Sequence, residues 1–448
     1  MEKITLKKEN EHLVYYGGTF EELGWGAIQF PKLFNMRDGN FGLSVHDAGD
    51  TWEELTGDDA ERWFVTEDIG KTWRPAERSE RDIMGTILPN GDILRSQPNQ
   101  PVYLKDIEFF EKRVCDFINP ADDLTPKPSN DPKKLPIPIT AHSDIFGRRY
   151  TVFWLDTLPD DLIEKRFCFY RLKNGETKPE YMYANVDWKY RTTCVYSSSG
   201  SLSAKDTMLV NAGLYVCRDI KVAPDGSLFI AHYRSDSANP YNGVYQGTSN
   251  SYFLRSTDNG ESWQLQGYIP YIANEVEDNP FAHLVGGYDE PTIEFMDDGS
   301  VICILRTCDV FGGAPGWGPT YISRSTDMCK TWSKPKRFAD KGALPKLVKL
   351  PNGITLAVIT RPGISIYATR DGINWSDPLE IMTSGDRSHL GNVKYEHPNF
   401  HQWQGSCCNC SIIATGENRA MLAFSDFYVP GDDGLKHKGI KTIEIIAN

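Results

Sequence analysis

The sequence has no uninterrupted apolar run of about 18 residues, the length a membrane-crossing helix needs. It has no excess of positive charge either. Lysines and arginines number 48 against 61 aspartates and glutamates, a formal net charge of −13. An acidic surface repels nucleic acid and anionic lipid at long range, so neither is expected as a partner. The N-terminal stretch MEKITLKKENEHLVYY lacks the apolar segment of a secretory leader. The expected location is therefore cytoplasmic, or extracellular where a leader has been removed.

Cysteine gives no framework. The ten cysteines are irregularly spaced, so buried reduced thiols are expected rather than a disulfide scaffold. Cys407, Cys408 and Cys410, with His397 and His401 nearby, contain a C-x-x-C. A closed zinc site needs four ligands in fixed geometry, and this segment reads better as a buried strand of small side chains. No metal and no cofactor is expected.

What the chain does have is aromatics, 12 % of residues, and 38 glycines. That mixture favours many short strands joined by tight turns. Two repeats organise it. The first is RSTDNGESW (255–263), matched by VTEDIGKTW ending at Trp73, RSTDMCKTW ending at Trp332 and the shorter ATRDGINW ending at Trp375. Its serine or threonine and its aspartate can bond the turn's own backbone, and its tryptophan can pack between sheets. HDAGDTW (46–52) lacks the leading hydroxyl and reads as a loop.

The second repeat is a hairpin with an Asp-Gly, Asn-Gly or Thr-Gly turn between two apolar strands. It occurs six times, with turn glycines Gly39, Gly91, Gly226, Gly299, Gly353 and Gly416. Such turns need the positive φ that glycine accepts. A recurring unit of about fifty residues with a paired hairpin predicts an all-β, six-bladed β-propeller of four-stranded antiparallel blades. Counting FCFYRLKNGETKPEYMYANV (167–186) as a further unit would make seven; it reads better as the closing hairpin of the second. Residues 1–448 form a single expected domain, with a proline- and charge-rich excursion at about 97–166.

The two repeats together resemble the sialidase superfamily of Asp-box β-propellers, over nearly the whole chain. Sialidases carry a Phe-Arg-Ile-Pro motif on the first strand. The matching Ile28-Gln29-Phe30-Pro31 keeps the proline and puts Gln29 where the arginine stands. DEPTIEFMDDGSVICILR matches the family's Glu-Pro hairpin. The resemblance implies that Glu290 activates the nucleophile and that Arg306 and Arg361 bind a sugar carboxylate. Cys410 falls near the place of the family's tyrosine nucleophile, and no tyrosine stands there. The fold match is thus accompanied by the loss of one carboxylate-binding arginine and of the nucleophile, and losing a planar fork weakens bidentate recognition.

The second strands of the hairpins end in polar residues: His46, Arg95, Arg234 (after His232 and Tyr233), Arg306 and Arg361. Equivalent strand ends should converge on one mouth, where four arginines would bind an anionic or hydroxyl-rich ligand. Each arginine could instead bridge neighbouring blades through a carboxylate. Glycosidic cleavage needs two carboxylates, and Glu290, Asp289 and Asp47 are the candidates, Asp47 as the acid. Gln29 and Asp289 complete the expected binding set. Rim loops carry Tyr241, Trp317 and Trp403, which can stack on sugar faces or pack the rim. The expected activity is an exo-acting glycoside hydrolase on an acidic or polar sugar. One alternative is a lyase or unusual hydrolase on uronate-containing glycans, using His46, His232 or Tyr233 as base. A non-catalytic carbohydrate-binding propeller is the other. In each case the partner is a carbohydrate.

Overall fold

The computed structural model describes residues 3–24, 26–48, 61–97, 166–187, 219–234, 249–276, 287–307, 319–340, 342–361, 363–383 and 409–448, and the backbone of short strands between 102 and 210. The described chain is almost entirely strand. Strand β1 spans Leu6–Thr19. The first sheet is β2 (Gln29–Asn35), β3 (Phe41–His46), β4 (Glu61–Thr66) and β5 (Arg74–Pro75). Then come β6 (Thr86–Ile87), β7 (Ile93–Gln97), β8 (Val102–Tyr103), β9 (Thr140–Ser143), β10 (Arg149–Trp154), β11 (Phe167–Leu172), β12 (Glu180–Asp187), β13 (Thr192–Ser197) and β14 (Thr207–Val210). The third hairpin opens β15 (Ile220–Val222), β16 (Leu228–Arg234), β17 (Asn250–Ser256) and β18 (Ser262–Ile269). The fourth sheet is β19 (Tyr288–Phe295), β20 (Val301–Thr307), β21 (Thr320–Ser325) and β22 (Lys336–Ala339). The fifth is β23 (Lys346–Lys349), β24 (Thr355–Thr360), β25 (Ile364–Thr369) and β26 (Leu379–Met382). The last is β27 (Cys410–Gly416), β28 (Arg419–Pro430) and β29 (Lys436–Ala447).

All six turn glycines lie at or beside the first hairpin of a four-stranded unit, as the sequence predicts. The second unit is interrupted: β6 and β7 pair with β11 and β12, and the chain between them leaves the unit. The excursion is more than a loop. Strands β8, β9 and β10 join β13 and β14 in a separate five-stranded sheet, so it extends past 187 as well as through 97–166. The closing hairpin at 167–186 belongs to the second unit, as expected. Its outer strand β12 then pairs in parallel with β18, Asn185 opposite Ser262. The edges of the second and third units thereby satisfy each other, giving one eight-stranded sheet where two separate ones were expected.

Successive units touch all the way round. Leu33 N donates to Ser411 Oγ at 3.0 Å, joining the last unit to the first. Met36 bridges Met84, first to second, and Thr86 Oγ1 donates to Ile220 O, second to third. Lys221 pairs with Glu294 at 2.8 Å, third to fourth. Lys349 pairs with Asp297, fourth to fifth, and Asn352 N donates to Glu417 O at 3.0 Å, fifth to last. Apolar clusters fill the gaps between neighbours. Phe229, Phe253 and Phe295 belong to one cluster, Leu356 and Leu422 to another, and Val45 and Ile440 to a third. The N-terminal strand closes the set: β1 pairs antiparallel with β29, Leu6 opposite Ala447.

The four Ser/Thr-x-Asp turns share a hydroxyl–aspartate bond and a backbone N–H donated to the hydroxyl, the turn at Thr369 being one residue shorter. In the opening repeat Ser256 Oγ donates to Asp258 at 2.7 Å, and Gly260 N donates to Ser256 Oγ at 2.8 Å. Ser262 N donates to Asp258 at 3.0 Å. The indole of Trp263 donates back to Gly260 O at 3.0 Å, and Trp263 is fully buried. Each turn leans on the preceding unit. A Cβ on Gly260 would meet Leu94, one on Gly372 would meet Ile302 and one on Gly70 would meet Met421. Where the turn carries Cys329 instead, at φ 67°, the neighbouring strand supplies Gly267. These turns are structural, as their chemistry predicts. The aspartates of the hairpin turns serve the same end. Asp92 pairs with Arg171, Asp225 with Arg255 and Asp298 with Arg324, each arginine being on the third strand of its own unit.

Candidate active site

Antiparallel pairing puts the start of a first strand, the end of a second and the start of a third at one end of a unit. The turns occupy the other end. In the first unit this row is Gln29, His46 and Glu61, each Cα-paired with the next. In the fourth it is Asp289, Arg306 and Thr320. Hydrogen bonds carry the rows from unit to unit. Tyr288 N donates to Ser249 O at 2.8 Å, and Leu344 N donates to Glu290 Oε2 at 2.6 Å. The strand ends of neighbouring units therefore share one mouth. A cleft of about 220 Å³ beside Gly70, Arg419 and Met421 opens at the turn end and holds none of these residues.

Glu290 and Arg306 meet across the β19–β20 pair, Oε2 to Nη1 at 3.1 Å. Both are nearly buried. The Leu344 N–H and the Arg306 guanidinium both contact the same Glu290 oxygen. Asp289 is buried on the same strand. Arg361 follows β24 and is buried at the same end, its N–H donating to Gly363 O at 3.0 Å. The structure brings Glu290, Asp289, Arg306 and Arg361 to adjoining strand ends of the fourth and fifth units.

Backbone strain gathers here. Outside the turns, non-glycine residues with positive φ include Ile28 (53°) and Phe30 (51°) on either side of Gln29, Glu290 (48°), Leu344 (45°) and Arg361 (50°). Left-handed backbone in such residues costs on the order of 1–3 kcal/mol each and persists only where surroundings enforce it. Apart from Asn10 of β1 (54°), it falls at or beside the residues of these strand ends.

Gln29 is fully buried. Its Oε1 accepts from Gly26 N and from Lys438 Nζ, the latter at 3.3 Å. Lys438 is itself fully buried. Its ammonium donates to Gly24 O at 2.8 Å and lies 5.1 and 5.0 Å from the ring centroids of Phe20 and Phe427. A cation thus stands one layer behind the neutral amide, near where the resemblance expects an arginine. Sequence reasoning missed Lys438, because a lysine in a strand near the chain end gives no sign of burial.

Arg95 is placed differently from the other arginines. Its guanidinium lies between Trp63 and Tyr170, 4.7 Å from each ring centroid, and donates to Arg81 O at 2.8 Å and Met84 O at 3.1 Å. It joins the first and second units. Asp47 is ion-paired to Arg62, whose guanidinium lies 5.3 Å over the Tyr15 ring. That pair faces the last unit. His46 is buried with its ring 5.9 Å from Phe30, and His232 is buried with its ring 6.4 Å from Tyr233. Arg234 ends β16; its side chain lies outside the described residues. So do Tyr241, Trp317, Trp403, His397, His401, Cys407 and Cys408. Cys410 opens β27 as a buried thiol in the apolar cluster between the last two units.

The first, third and fifth units contribute to a charged group the sequence does not reveal. Asp219 pairs with Lys346 at 3.4 Å. Burial alone would raise the Asp219 carboxyl, but the ammoniums of Lys346, Lys32 and Lys221 outweigh it and hold it far below the usual carboxylate range. Burial pushes the Lys32 ammonium down. Glu61 is exposed at the rim yet walled by protein mass; that burial pushes its carboxyl up, against the opposing charges of Arg95, Lys32 and His46.

No family model matches the sequence, and no curated protein matches it. Among solved structures the chain is similar to a Dyadobacter fermentans protein of unknown function, with 14 % identity over 98 % of this chain and 99 % of that one, at a TM-score of 0.47. It is similar to an alpha-L-arabinanase of Penicillium chrysogenum, with 10 % identity over 97 % and 98 %, at a TM-score of 0.45. A NanB sialidase of Streptococcus pneumoniae shares 12 % identity over 98 % of this chain and 70 % of that chain, at a TM-score of 0.43.

Proposed function

We propose that this chain is a single-domain, six-bladed β-propeller with an insertion in its second blade, and that it acts as an exo-acting glycoside hydrolase on an acidic or polar sugar. The observation that carries this reading is the Glu290–Arg306 pair at 3.1 Å. It is a carboxyl group on strained backbone at the mouth, in contact with a guanidinium and a backbone N–H. Such a group suits the removal of a proton from an attacking water at a glycosyl centre. Asp289 and Arg361 beside it supply further polar contacts for a hydroxyl-rich ring.

The test is Glu290→Gln, which removes the charge and keeps the shape. A panel of aryl glycosides, including sialosides, uronides and arabinofuranosides, identifies what the parent cleaves. On that substrate the variant should lose about 10²–10⁴-fold in kcat/KM. The product should show no near-ultraviolet absorbance from an unsaturated sugar, which a β-elimination would give. Unchanged turnover in the variant overturns the role given to Glu290.

A further inference from the structure

Hydrolysis needs a proton for the departing oxygen as well as a base. Asp47 is the sequence candidate. Its carboxylate is already engaged by Arg62, on the side of the sheet that faces Tyr15. Held by that guanidinium, it is directed away from the strand-end row. Glu61 neighbours Arg62 in the same strand. Successive side chains of a strand point to opposite faces, so Glu61 is turned the other way. It closes the row begun by Gln29 and His46 at the strand ends. It forms no ion pair among the described residues, and it is exposed.

We propose that Glu61 is the general acid of this site. The inference rests on the hydrolase reading and adds to it a catalytic residue. Its carboxyl stands at the rim of the first unit, and Glu290 stands on the fourth, three units on in the succession of neighbours. The two carboxyl groups differ in what surrounds them. Glu290 has a guanidinium at 3.1 Å. Glu61 has protein mass around it that favours the neutral form, even with Lys32 of β2, His46 of β3 and Arg95 of β7 acting on it. Carboxylates whose surroundings push their protonation apart divide the roles of acid and base.

The step balances with water as the co-reactant. The bond from the anomeric carbon to the glycosidic oxygen breaks, and its electron pair stays on that oxygen. The oxygen takes the proton of Glu61 and departs as an alcohol. Water bonds to the anomeric carbon and gives its proton to Glu290. Glu61 is left as carboxylate and Glu290 as acid, and exchange with solvent resets both.

The experiment compares Glu61→Gln, Asp47→Asn and His46→Asn on two glycosides of the sugar the parent cleaves. One has an alkyl leaving group, which needs protonation. The other has a 2,4-dinitrophenyl leaving group, which does not. For Glu61→Gln, turnover of the alkyl glycoside should fall by about 10²–10⁴-fold, while the dinitrophenyl glycoside should be cleaved at close to the parent rate. The alkaline limb of the kcat/KM profile should vanish. Histidine side chains ionise in the same pH range, so the limb is assigned by its survival in His46→Asn and Asp47→Asn. Near-ultraviolet circular dichroism confirms that each variant is folded. An equal loss on both glycosides in Glu61→Gln, or a retained alkaline limb, overturns the proposal while leaving the hydrolase reading in place. Loss of the limb in Asp47→Asn instead assigns the acid to Asp47. A parent that cleaves no glycoside on the panel overturns the hydrolase reading itself, and Glu61 as its acid with it.

Discussion

The guanidinium of Arg95 lies between the rings of Trp63 and Tyr170, 4.7 Å from the centroid of each. Its Nη1 is also committed to two backbone carbonyls. Lysine keeps the charge but cannot stack as a plane or reach both carbonyls. Arg95→Lys should therefore cost about 1–2 kcal/mol of stability, read from urea denaturation, with KM changed by only a few fold. A stable variant with a collapsed KM would show that Arg95 touches substrate.

Arg171 and Asp92 form a buried pair at 2.6 Å, and Asp92 also accepts from Asn174 N at 2.8 Å. Removing the carboxylate leaves the guanidinium, among the described residues, with the exposed Glu261 and the weakly accepting Met182 sulfur. Asp92→Ala should destabilise by about 3–5 kcal/mol, measured by chemical denaturation. The double variant Asp92→Leu/Arg171→Met should recover much of that loss, since no buried charge then remains.

The turn aspartates give an acid-side dependence of stability. The Thr72 N–H and hydroxyl hold the Asp68 carboxyl down at about 2. Burial would raise Asp371, but the Asn374 and Ile373 donors hold it at about 2. A carboxyl lowered in the folded state stabilises above its unfolded value of about 4, and that contribution is lost as pH falls toward about 2. Asp68→Asn and Asp371→Asn should flatten the fall in Tm between those two pH values. An unchanged slope in the double variant would mean that these turns do not set acid stability.

A Cβ on Gly267 would collide with Cys329 O and stand 2.5 Å from Lys330 O. Backbone cannot yield as a flexible side chain does. Gly267→Ala should cost about 1–3 kcal/mol in a thermal or urea melt. By contrast nothing lies within 4 Å of a Cβ at Gly175, whose φ is 84°. There alanine should cost only the left-handed penalty of about 1–2 kcal/mol.

The hairpins and the hydroxyl–aspartate turns were legible because each is a local device. Asp-Gly and Asn-Gly fix a turn with no help from the rest of the chain, and a hydroxyl two residues before Asp258 bonds within its own loop. Glu290 and Arg306 were legible for a related reason: they face each other across one hairpin. Arg95, Asp47 and Lys438 were not. Their surroundings come from distant parts of the chain, Trp63 for Arg95 and Gly24 for Lys438. A strand-end arginine that stacks between rings and one that faces a mouth have the same local sequence. Glu61 was hidden similarly, because its environment is made by Lys32 and Arg95 from other strands. The parallel pairing of β12 with β18 sets Asn185 opposite Ser262, far along the chain, and no turn signal marks it.

The pairing of β1 with β29 ties two distant stretches of the chain together, Thr5 N to Asn448 O at 2.9 Å and Asn448 N to Thr5 O at 3.1 Å. During synthesis β1 emerges from the ribosome before every other described strand, and its hydrogen-bonding partner emerges after them. The first strand must therefore wait, solvated, while each unit is made. Its exposed side chains, among them Lys7, Lys8, Asn10 and Glu11, keep it soluble through that interval. The same adjacency makes a circular rearrangement of the gene geometrically simple: a short linker joining Thr5 to Asn448, with new ends opened at an exposed hairpin, leaves every described strand with its neighbours.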